Sequence, residues 1–180
     1  MALPTLRTER LLLRSLHLTD LDDLYEYAQD PAVYNGGMWQ PYASKDAARK
    51  HLEHLISLYT KGLMWWAIEH TTDHKMIGRI ELSHIDRADK KAEISYALHQ
   101  DYWQQGIMSE ALNKVLDYAY ATMQLNRIYA VTLTDNKKSC KLLEKFNFQR
   151  EGHLREYSQV KGYAEDVYLY ALLKSDLTSS

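Results

Sequence analysis

The sequence predicts an α/β fold in which a mixed β-sheet is flanked by helices. A strand pair at 64–69 and 75–85 is joined by a turn-forming segment, and a strand–helix–strand pattern follows over 92–134. A hairpin gives an antiparallel pair and a strand–helix–strand unit gives a parallel pair, so one sheet should contain both directions. The length of 180 residues suits a single domain over 1–180 that buries its own core.

The first predicted elements are a strand and a helix. Consecutive leucines between polar ends indicate a strand over 7–16. Thr19 is expected to cap the helix that follows, because Asp22 stands three positions later, a spacing similar to a capping box. Pro31 is expected to end this helix.

The remaining elements are predicted from spacing and side-chain type. Ser44 is expected to cap a second helix, which Gly62 should end. From Met108 to Ala119 apolar residues recur every three or four positions, so this segment is the clearest helix. The other predicted elements are strands at 64–69, 75–85, 92–99, 127–134, 148–155 and 165–173, and a helix at 137–146.

Composition excludes several classes of function. The net charge of −2 gives no global electrostatic reason for a nucleic-acid partner. No window approaches the roughly 18 consecutive apolar residues of a membrane-spanning helix, so no membrane partner is expected. The N-terminal residues lack the pattern of a signal peptide. The one cysteine, Cys140, cannot form an intramolecular disulfide, and a cytoplasmic location is therefore expected.

Eight histidines raise the question of a metal site. His51 and His54 are spaced for one face of a helix, and His70 and His74 flank a turn. Neither pair has a clear third ligand in the sequence, and a protein metal site needs at least three. We therefore expect no metal.

The segment before the clearest helix contains one glycine, Gly106, at a strand-to-helix turn. A helix start offers backbone N–H groups without intrahelical partners and the positive end of the helix dipole. Glycine lets an anion approach the backbone closely, so the turn is suited to a pyrophosphate. An ordinary turn explains the same residues equally well.

The segment from Tyr102 to Leu112 reads YWQQGIMSEAL. It resembles the pyrophosphate loop of the GNAT acetyltransferases, and within them the RimJ/RimL-like branch. The family loop, Arg/Gln-x-x-Gly-x-Gly/Ala, falls on residues 103–108. Trp103 and Met108 depart from it in a way that is familiar in this branch, and the departure leaves backbone contacts to the phosphates intact.

The resemblance covers nearly the whole chain and implies the GNAT fold, with a mixed and splayed central sheet. The opening LRTERL, the pair Ile77-Gly78 and the strand AEISY are typical of the branch, as are NKKS at 136–139 and the ending KGYAEDV at 161–167. In the stretch LLEKFNF, Asn147 replaces a glycine of the family. Asparagine is the residue that next best tolerates a left-handed turn.

The resemblance also implies a co-substrate, acetyl-CoA, and the residues that bind it. Backbone groups of Ala97 and Leu98 would bond the pantetheine amides. Asn136 would bond the cofactor backbone, although capping a helix is an equally good explanation of this asparagine. The residues implied around the pyrophosphate are Gln104, Gln105, Gly106, Ile107, Met108 and Ser109.

Two catalytic residues are implied. Glu93 is the candidate general base, acting through water on an acceptor ammonium; the alternative is a solvated residue on an alternating strand. Many family members protonate the leaving thiolate with a tyrosine, but that position is Leu143 here. In this branch a serine three residues after the asparagine lies near the sulfur, which makes Ser139 the candidate. Its alternative is a first-turn serine that bonds its own backbone.

Four residues are candidates for the acceptor site: Tyr34, Asn35, Trp39 and Tyr157. Trp65 and Trp66 are further candidates, but aromatic residues more often pack the core, and packing is the better explanation for at least one of the two. The expected acceptor is the N-terminal α-amine of a protein, as in the ribosomal-protein acetyltransferases of this branch. The alternatives are a small amine, such as a polyamine, an amino-acid analogue or an aminoglycoside, and a non-catalytic CoA-binding sensor. A homodimer is a further expectation.

Overall fold

A computed structural model of the chain describes residues 3–178. Eight strands form one sheet in the order β1-β2-β3-β4-β5-β6-β8-β7. The strands are β1 (Leu6–Arg7), β2 (Leu11–Arg14), β3 (Met64–His70), β4 (Lys75–Asp86), β5 (Lys91–Leu98), β6 (Arg127–Leu133), β7 (Gln149–Ser158) and β8 (Glu165–Leu173). The helices are α1 (Leu21–Gln29), α2 (Pro31–Tyr34), α3 (Lys45–Leu58), α4 (Ile107–Asp117) and α5 (Lys137–Lys145).

The chain divides into two compact units. Among the described residues, the first contains 3–34, 41–81 and 96–115, and the second contains 35–40, 82–95 and 116–178. The sheet contains both antiparallel and parallel pairs, which confirms the predicted mixed sheet. The single domain over 1–180 stays a prediction.

The N-terminal segment departs from the sequence prediction. The strand expected over 7–16 is two short strands, β1 and β2, which pair with each other. The prediction that Thr19 caps α1 is wrong, because Asp20 is the residue before its first turn. Asp20 is buried, and its two carboxylate oxygens each accept a hydrogen bond of 2.8 Å from the Arg14 guanidinium. This pairing fixes the chain at Asp20, so a short 3-10 turn precedes the helix.

The second unexpected boundary is at Pro31. Helix α1 already ends at Gln29, and Pro31 begins the one-turn helix α2 instead of only ending its predecessor. Proline is well tolerated in a first helical turn, because the N–H that it lacks has no intrahelical partner there.

Three local predictions are confirmed. The Ser44 hydroxyl accepts a hydrogen bond of 3.1 Å from the Ala47 N–H at the start of α3. Gly62 ends the helical segment with a φ of +86°. Asn147 has a φ of +61°, so asparagine adopts the left-handed turn where the family usually has glycine. None of the helices within residues 3–178 is long and apolar enough to cross a bilayer.

Strands β5 and β6 form the parallel pair. Their pairing runs from Lys91 opposite Arg127 to Glu93 opposite Tyr129. Strand β6 continues in antiparallel pairing with β8 as far as Leu133. Glu93 therefore lies at the last of the paired positions, with its side chain beside that of a β6 residue.

Each unit has its own set of buried apolar side chains. In the first unit, α4 buries Ala111, Leu112 and Val115 completely, all at 0% exposure. The apolar residues whose spacing of three and four predicted this helix therefore form its buried face. In the second unit, Ile128 of β6, Leu143 of α5 and Leu172 of β8 are also fully buried.

Gly78 allows the backbones of β4 and β5 to approach each other closely. A Cβ placed at Gly78 would lie 2.3 Å from the carbonyl oxygen of Ala97 and 3.0 Å from the Cα of Leu98. Both contacts are to backbone, so no side-chain rotation could relieve them. Any side chain at this position must shift the segment of β5 that contains Ala97 and Leu98.

Gly78→Ala is expected to lower the free energy of unfolding by about 1–3 kcal/mol through this overpacking. Gly152→Ala is the matched control, since a Cβ there would meet its nearest neighbour, Leu169 Cβ, at an ordinary 3.8 Å. It should change stability by no more than about 0.5 kcal/mol. Urea unfolding of both variants measures the difference, and equal stabilities would contradict the steric argument.

Candidate active site

The loop between β5 and α4 has a tightly turned backbone. A 3-10 turn over Gln100–Tyr102 follows β5. The indole Nε1 of Trp103 then donates a hydrogen bond of 2.9 Å to the carbonyl of Leu98. Gln104 and Gly106 both have left-handed φ values, of +61° and +77°. Two such residues so close together turn the chain into the first turn of α4.

Exposure changes sharply where α4 begins. Residues 104–106 are exposed, whereas the side chains of Ile107 and Met108 are 1% and 8% exposed. The first bond of the α-helical type runs from the Glu110 N–H to the carbonyl of Gly106 at 3.0 Å. The N–H groups of 107–109 precede it and stand at the positive end of the helix dipole. This arrangement fits a pyrophosphate.

An ion pair between Arg10 and Glu110, here called the Arg10–Glu110 clamp, holds the loop between β5 and α4 in place. The Nε and Nη2 of Arg10 both lie 2.7 Å from Glu110 Oε2. The backbone N–H of Arg10 donates to Oε1 at 2.9 Å, and the Thr8 hydroxyl donates to the same oxygen. The remaining terminal nitrogen, Nη1, donates to the carbonyl of Gln105 at 2.9 Å. The clamp thus joins the turn between β1 and β2 to both the loop and α4.

The clamp keeps Glu110 ionised. Partial burial opposes the charge, but the hydrogen bonds from Thr8 and from the backbone and side chain of Arg10 outweigh it. Together they hold the pKa of Glu110 below its ordinary value. A carboxylate in the first turn also interacts favourably with the helix dipole.

Ala97 and Leu98, the predicted pantetheine contacts, have buried side chains, 6% and 7% exposed. The predicted backbone contacts with pantetheine stay a prediction. The carbonyl of Leu98 already accepts the Trp103 indole N–H. The next residue, His99, donates its N–H to the carbonyl of Ile77 at 2.7 Å, which ties the end of β5 to β4.

In the second unit, Glu93 on β5 lies beside polar residues of β4 and β6. Its Oε2 is 3.1 Å from Nδ1 of His84 on β4, and its side chain is 17% exposed. Tyr129 is its register partner on β6. Desolvation, and after it the negative charge of Glu93, raise the pKa of Tyr129.

Asn136 is the residue before α5, and both the oxygen and the nitrogen of its side-chain amide form hydrogen bonds. Its Oδ1 accepts a hydrogen bond of 3.1 Å from the N–H of Ser139, which is the helix-cap alternative. Its Nδ2 donates to the carbonyl of Gly36 at 2.7 Å. Ser139 is partly exposed on the first turn of α5. The two predicted residues are thus in direct contact.

The segment 35–40, called here the Asn35–Gln40 loop, is held by the turn between β7 and β8. Lys161 donates to the carbonyl of Asn35 at 2.8 Å and is also paired with Glu165 at 3.1 Å. Gln40 donates to the carbonyl of Val160 at 2.6 Å. Within the loop, the Trp39 ring lies over Gly37, where a Cβ would be 1.7 Å from Trp39 Cζ3.

The remaining acceptor candidates lie outside the Asn35–Gln40 loop. Tyr157 is 53% exposed on β7. Tyr34 is partly exposed at the end of α2, in the first unit. Trp65 and Trp66 are 4% and 0% exposed, so the packing alternative applies to both. Across residues 3–178 no group of three or more His, Cys, Asp or Glu is arranged to hold a metal ion, and the absence of a metal stays a prediction.

Three features were missed from the sequence. The clamp joins residues 100 positions apart, and both of its ends belong to segments that the resemblance had already identified. The contact of Asn136 with Gly36 is equally long in range. The pairing of His84 with Glu93 gave no signal, because His84 was one of several histidines on predicted strands and turns.

Comparison with known proteins gives one family. A model described as an acetyltransferase (GNAT) domain matches residues 10–149. An uncharacterized N-acetyltransferase, p20, of Bacillus licheniformis is 38% identical, covering 96% of this chain and 97% of its own.

Two relatives have stated substrates. The [ribosomal protein uS5]-alanine N-acetyltransferase of Escherichia coli is 28% identical over 96% of this chain and 92% of its own. The spermidine N(1)-acetyltransferase of Vibrio cholerae is 26% identical over 92% and 94%. Among solved structures, a spermidine N-acetyltransferase from Vibrio cholerae in complex with CoA and spermine has a TM-score of 0.81 at 24% identity, covering 96% of this chain and 100% of that one.

Glu110→Gln is expected to destabilise the protein at pH 7 by about 1–3 kcal/mol, since it removes a charged hydrogen-bond acceptor from the clamp. The folded-state pKa of Glu110 lies below its ordinary value of 4.5. Its contribution is therefore full above that value and is lost as pH falls through the lower folded-state pKa.

Denaturant unfolding between pH 3 and pH 7 measures this. The difference between wild type and Glu110→Gln should be constant near neutrality and shrink in acid. Glu9→Gln, an exposed neighbour of the clamp, is the control and should show little effect. A difference that stays the same down to pH 3 would contradict the argument.

Proposed function

Because the chain belongs to the GNAT acetyltransferases, we propose that this acetyl-CoA-dependent N-acetyltransferase modifies the N-terminal α-amine of a protein, and most specifically of a ribosomal protein. The observation that carries the proposal is the near full-length similarity to a ribosomal-protein alanine acetyltransferase. The spermidine acetyltransferase relative makes a small amine the second candidate. The non-catalytic sensor does not fit a family of transferases.

For acetyl-CoA we propose that the first turn of α4 binds the pyrophosphate. Residues Gln104, Gln105 and Gly106 are exposed, and the N–H groups of Ile107, Met108 and Ser109 lie at the start of the helix. The Arg10–Glu110 clamp holds this turn through the Glu110 side chain and the carbonyl of Gln105. Backbone groups of Ala97 and Leu98 bond the pantetheine amides in the same proposal.

For the chemistry we propose Glu93 as general base. An α-amine, with an ordinary pKa of about 8, is largely protonated at neutral pH and cannot attack. Glu93 accepts one proton through water, so a nitrogen–hydrogen bond breaks and a carboxyl O–H forms. The free amine nitrogen then bonds to the thioester carbon, and the carbon–sulfur bond breaks. The nitrogen loses its second proton as the amide forms, and this proton passes through water to restore the hydroxyl that protonates the sulfur. The sulfur leaves with the bonding electron pair.

We propose Ser139 as the proton donor to this thiolate. Asn136 accepts the Ser139 N–H and thereby fixes the first turn of α5. The Asn136 amide also holds Gly36. One asparagine therefore connects the proposed donor to the Asn35–Gln40 loop, which we assign to the acceptor. Its proposed bond to the cofactor backbone would have to coexist with these two hydrogen bonds.

Exposed apolar side chains support a peptide acceptor. Tyr157, Val160 and Tyr163 are 53%, 47% and 59% exposed on and between β7 and β8. A cluster of exposed apolar groups is typical of a surface that binds another chain. Tyr34, Asn35 and Trp39 are the further acceptor candidates. A homodimer and a cytoplasmic location stay predictions.

Glu93→Gln is expected to lower the acetylation rate by about a hundredfold, as expected for loss of a general base. The loss should be largest at low pH, where more of the acceptor is protonated and assistance matters most. The rate of CoA-thiol release between pH 6 and pH 9 measures it. Glu53→Gln on the exposed face of α3 is the control. An unchanged pH–rate profile would reject Glu93 as the base.

The acceptor class is tested by mass spectrometry of cellular protein N-termini with and without this protein. An acetylation difference at a ribosomal protein is the expected result. In vitro, Tyr157→Ala should raise KM for the matching N-terminal peptide and leave KM for spermidine unchanged. Leu177→Ala, which removes another exposed apolar side chain (49% exposed), is the control. Turnover of spermidine with no change at any protein N-terminus would favour the small amine.

A further inference from the structure

His84, on the neighbouring strand β4, contacts the proposed base. Its Nδ1 lies 3.1 Å from Glu93 Oε2, and its side chain is 73% exposed, whereas that of Glu93 is 17% exposed. One nitrogen of the ring thus faces the carboxylate, and most of the ring faces water. Imidazole is the side chain that exchanges protons with water most readily near neutral pH.

The backbone places His84 there by breaking the pattern of β4. Ile80 and Leu82 are buried, at 0% and 2% exposure, and alternation would put residue 84 on the same buried face. His84 instead has a φ of +48°, in the left-handed region. Such a residue within a strand re-aims its side chain. Non-glycine residues adopt this conformation at a cost, and it is common at functional positions.

We infer that His84 is a proton relay, which carries the proton that Glu93 removes from the acceptor to bulk water. The inference rests on the proposed role of Glu93 as the base. His84 touches no reacting atom in this scheme, so it is a positioning and relay residue and not a catalytic one. Its effect is to return Glu93 to the carboxylate form between turnovers.

The relay is balanced in protons. Protonated Glu93 transfers its proton to the lone pair on Nδ1 of His84, which leaves a carboxylate and an imidazolium. The imidazolium loses its Nε2 proton to water. The exposed ring then returns to its Nε2–H form by proton exchange with solvent, so the net change is one proton moved from the acceptor ammonium to water.

Other charged and titratable groups surround the pair. On β5, Lys91 lies two residues before Glu93, and Arg127 on β6 is the register partner of Lys91. Tyr129 of β6 and Tyr157 of β7 interact electrostatically with each other, and Tyr129 also with Glu93, Lys91 and Arg127. Ser83 on β4 places its hydroxyl 3.4 Å from His84 Nδ1. Among these groups the imidazole is the one that combines contact with the carboxylate and wide exposure.

The test is His84→Asn, because asparagine tolerates the left-handed conformation but cannot take up a proton at neutral pH. In weakly buffered solution we expect kcat to fall on the order of tenfold, with KM for acetyl-CoA unchanged. Added imidazole should restore the rate of His84→Asn in a concentration-dependent manner and leave wild type unaffected. His54→Asn, at an exposed histidine of α3, should behave as wild type with and without imidazole.

A second variant guards against misfolding. His84→Gly relieves the left-handed backbone and also removes the ring, so its melting temperature should equal or exceed that of wild type while its rate falls and is restored by imidazole. A full rate in either variant, or a loss that imidazole does not restore, would overturn the relay. Glu93→Gln is measured alongside. If it is also fully active, the proposed base fails; if Glu93→Gln is slow and His84→Asn is not, only the relay fails.

Discussion

The Arg10–Glu110 clamp is the interaction on which the proposed cofactor site depends. A helix start binds an anion through N–H groups that nothing else in the helix satisfies. Such a turn must be held firmly while its outer surface stays open. Arg10 does this by bonding the side chain of Glu110 and the carbonyl of Gln105. Both partners are acceptors, so Arg10 takes up none of the backbone N–H groups of the turn.

Backbone geometry determines the chemistry as much as side-chain identity does. Gly106 and Gln104 turn the loop, Gly78 brings two backbones together, and His84 turns its imidazole toward Glu93. Each of these positions adopts a conformation or a spacing that most residues would resist. Each of these local departures from regular strand and helix geometry lies beside regular elements of its own unit, which supply the rigidity that keeps it in place.

The sequence predicts the elements whose signal is local. The prediction fails where a contact with a residue distant in sequence determines the local structure. The helix over Met108–Ala119 and the caps at Ser44 and Gly62 were predicted because spacing and residue type suffice. Thr19 was predicted as a cap and is not one, because Arg14 holds Asp20. The resemblance predicted Asn136 and Ser139 together, and the structure brings them into contact. It could not predict His84, because a left-handed residue inside a strand has no sequence pattern when it is not glycine.

The Asn35–Gln40 loop depends on side chains far from it in sequence. Lys161 holds Asn35, Gln40 holds Val160, and Asn136 holds Gly36. Lys161 and its partner Glu165 are only 10% exposed, so the pair has little solvent to replace a lost contact. A replacement loop must place two backbone carbonyls where Lys161 and Asn136 can reach them and must supply a side-chain donor for the carbonyl of Val160. The exchangeable module is the loop together with the β7–β8 turn and the start of α5, and enzymes with altered acceptors should differ in all three segments at once.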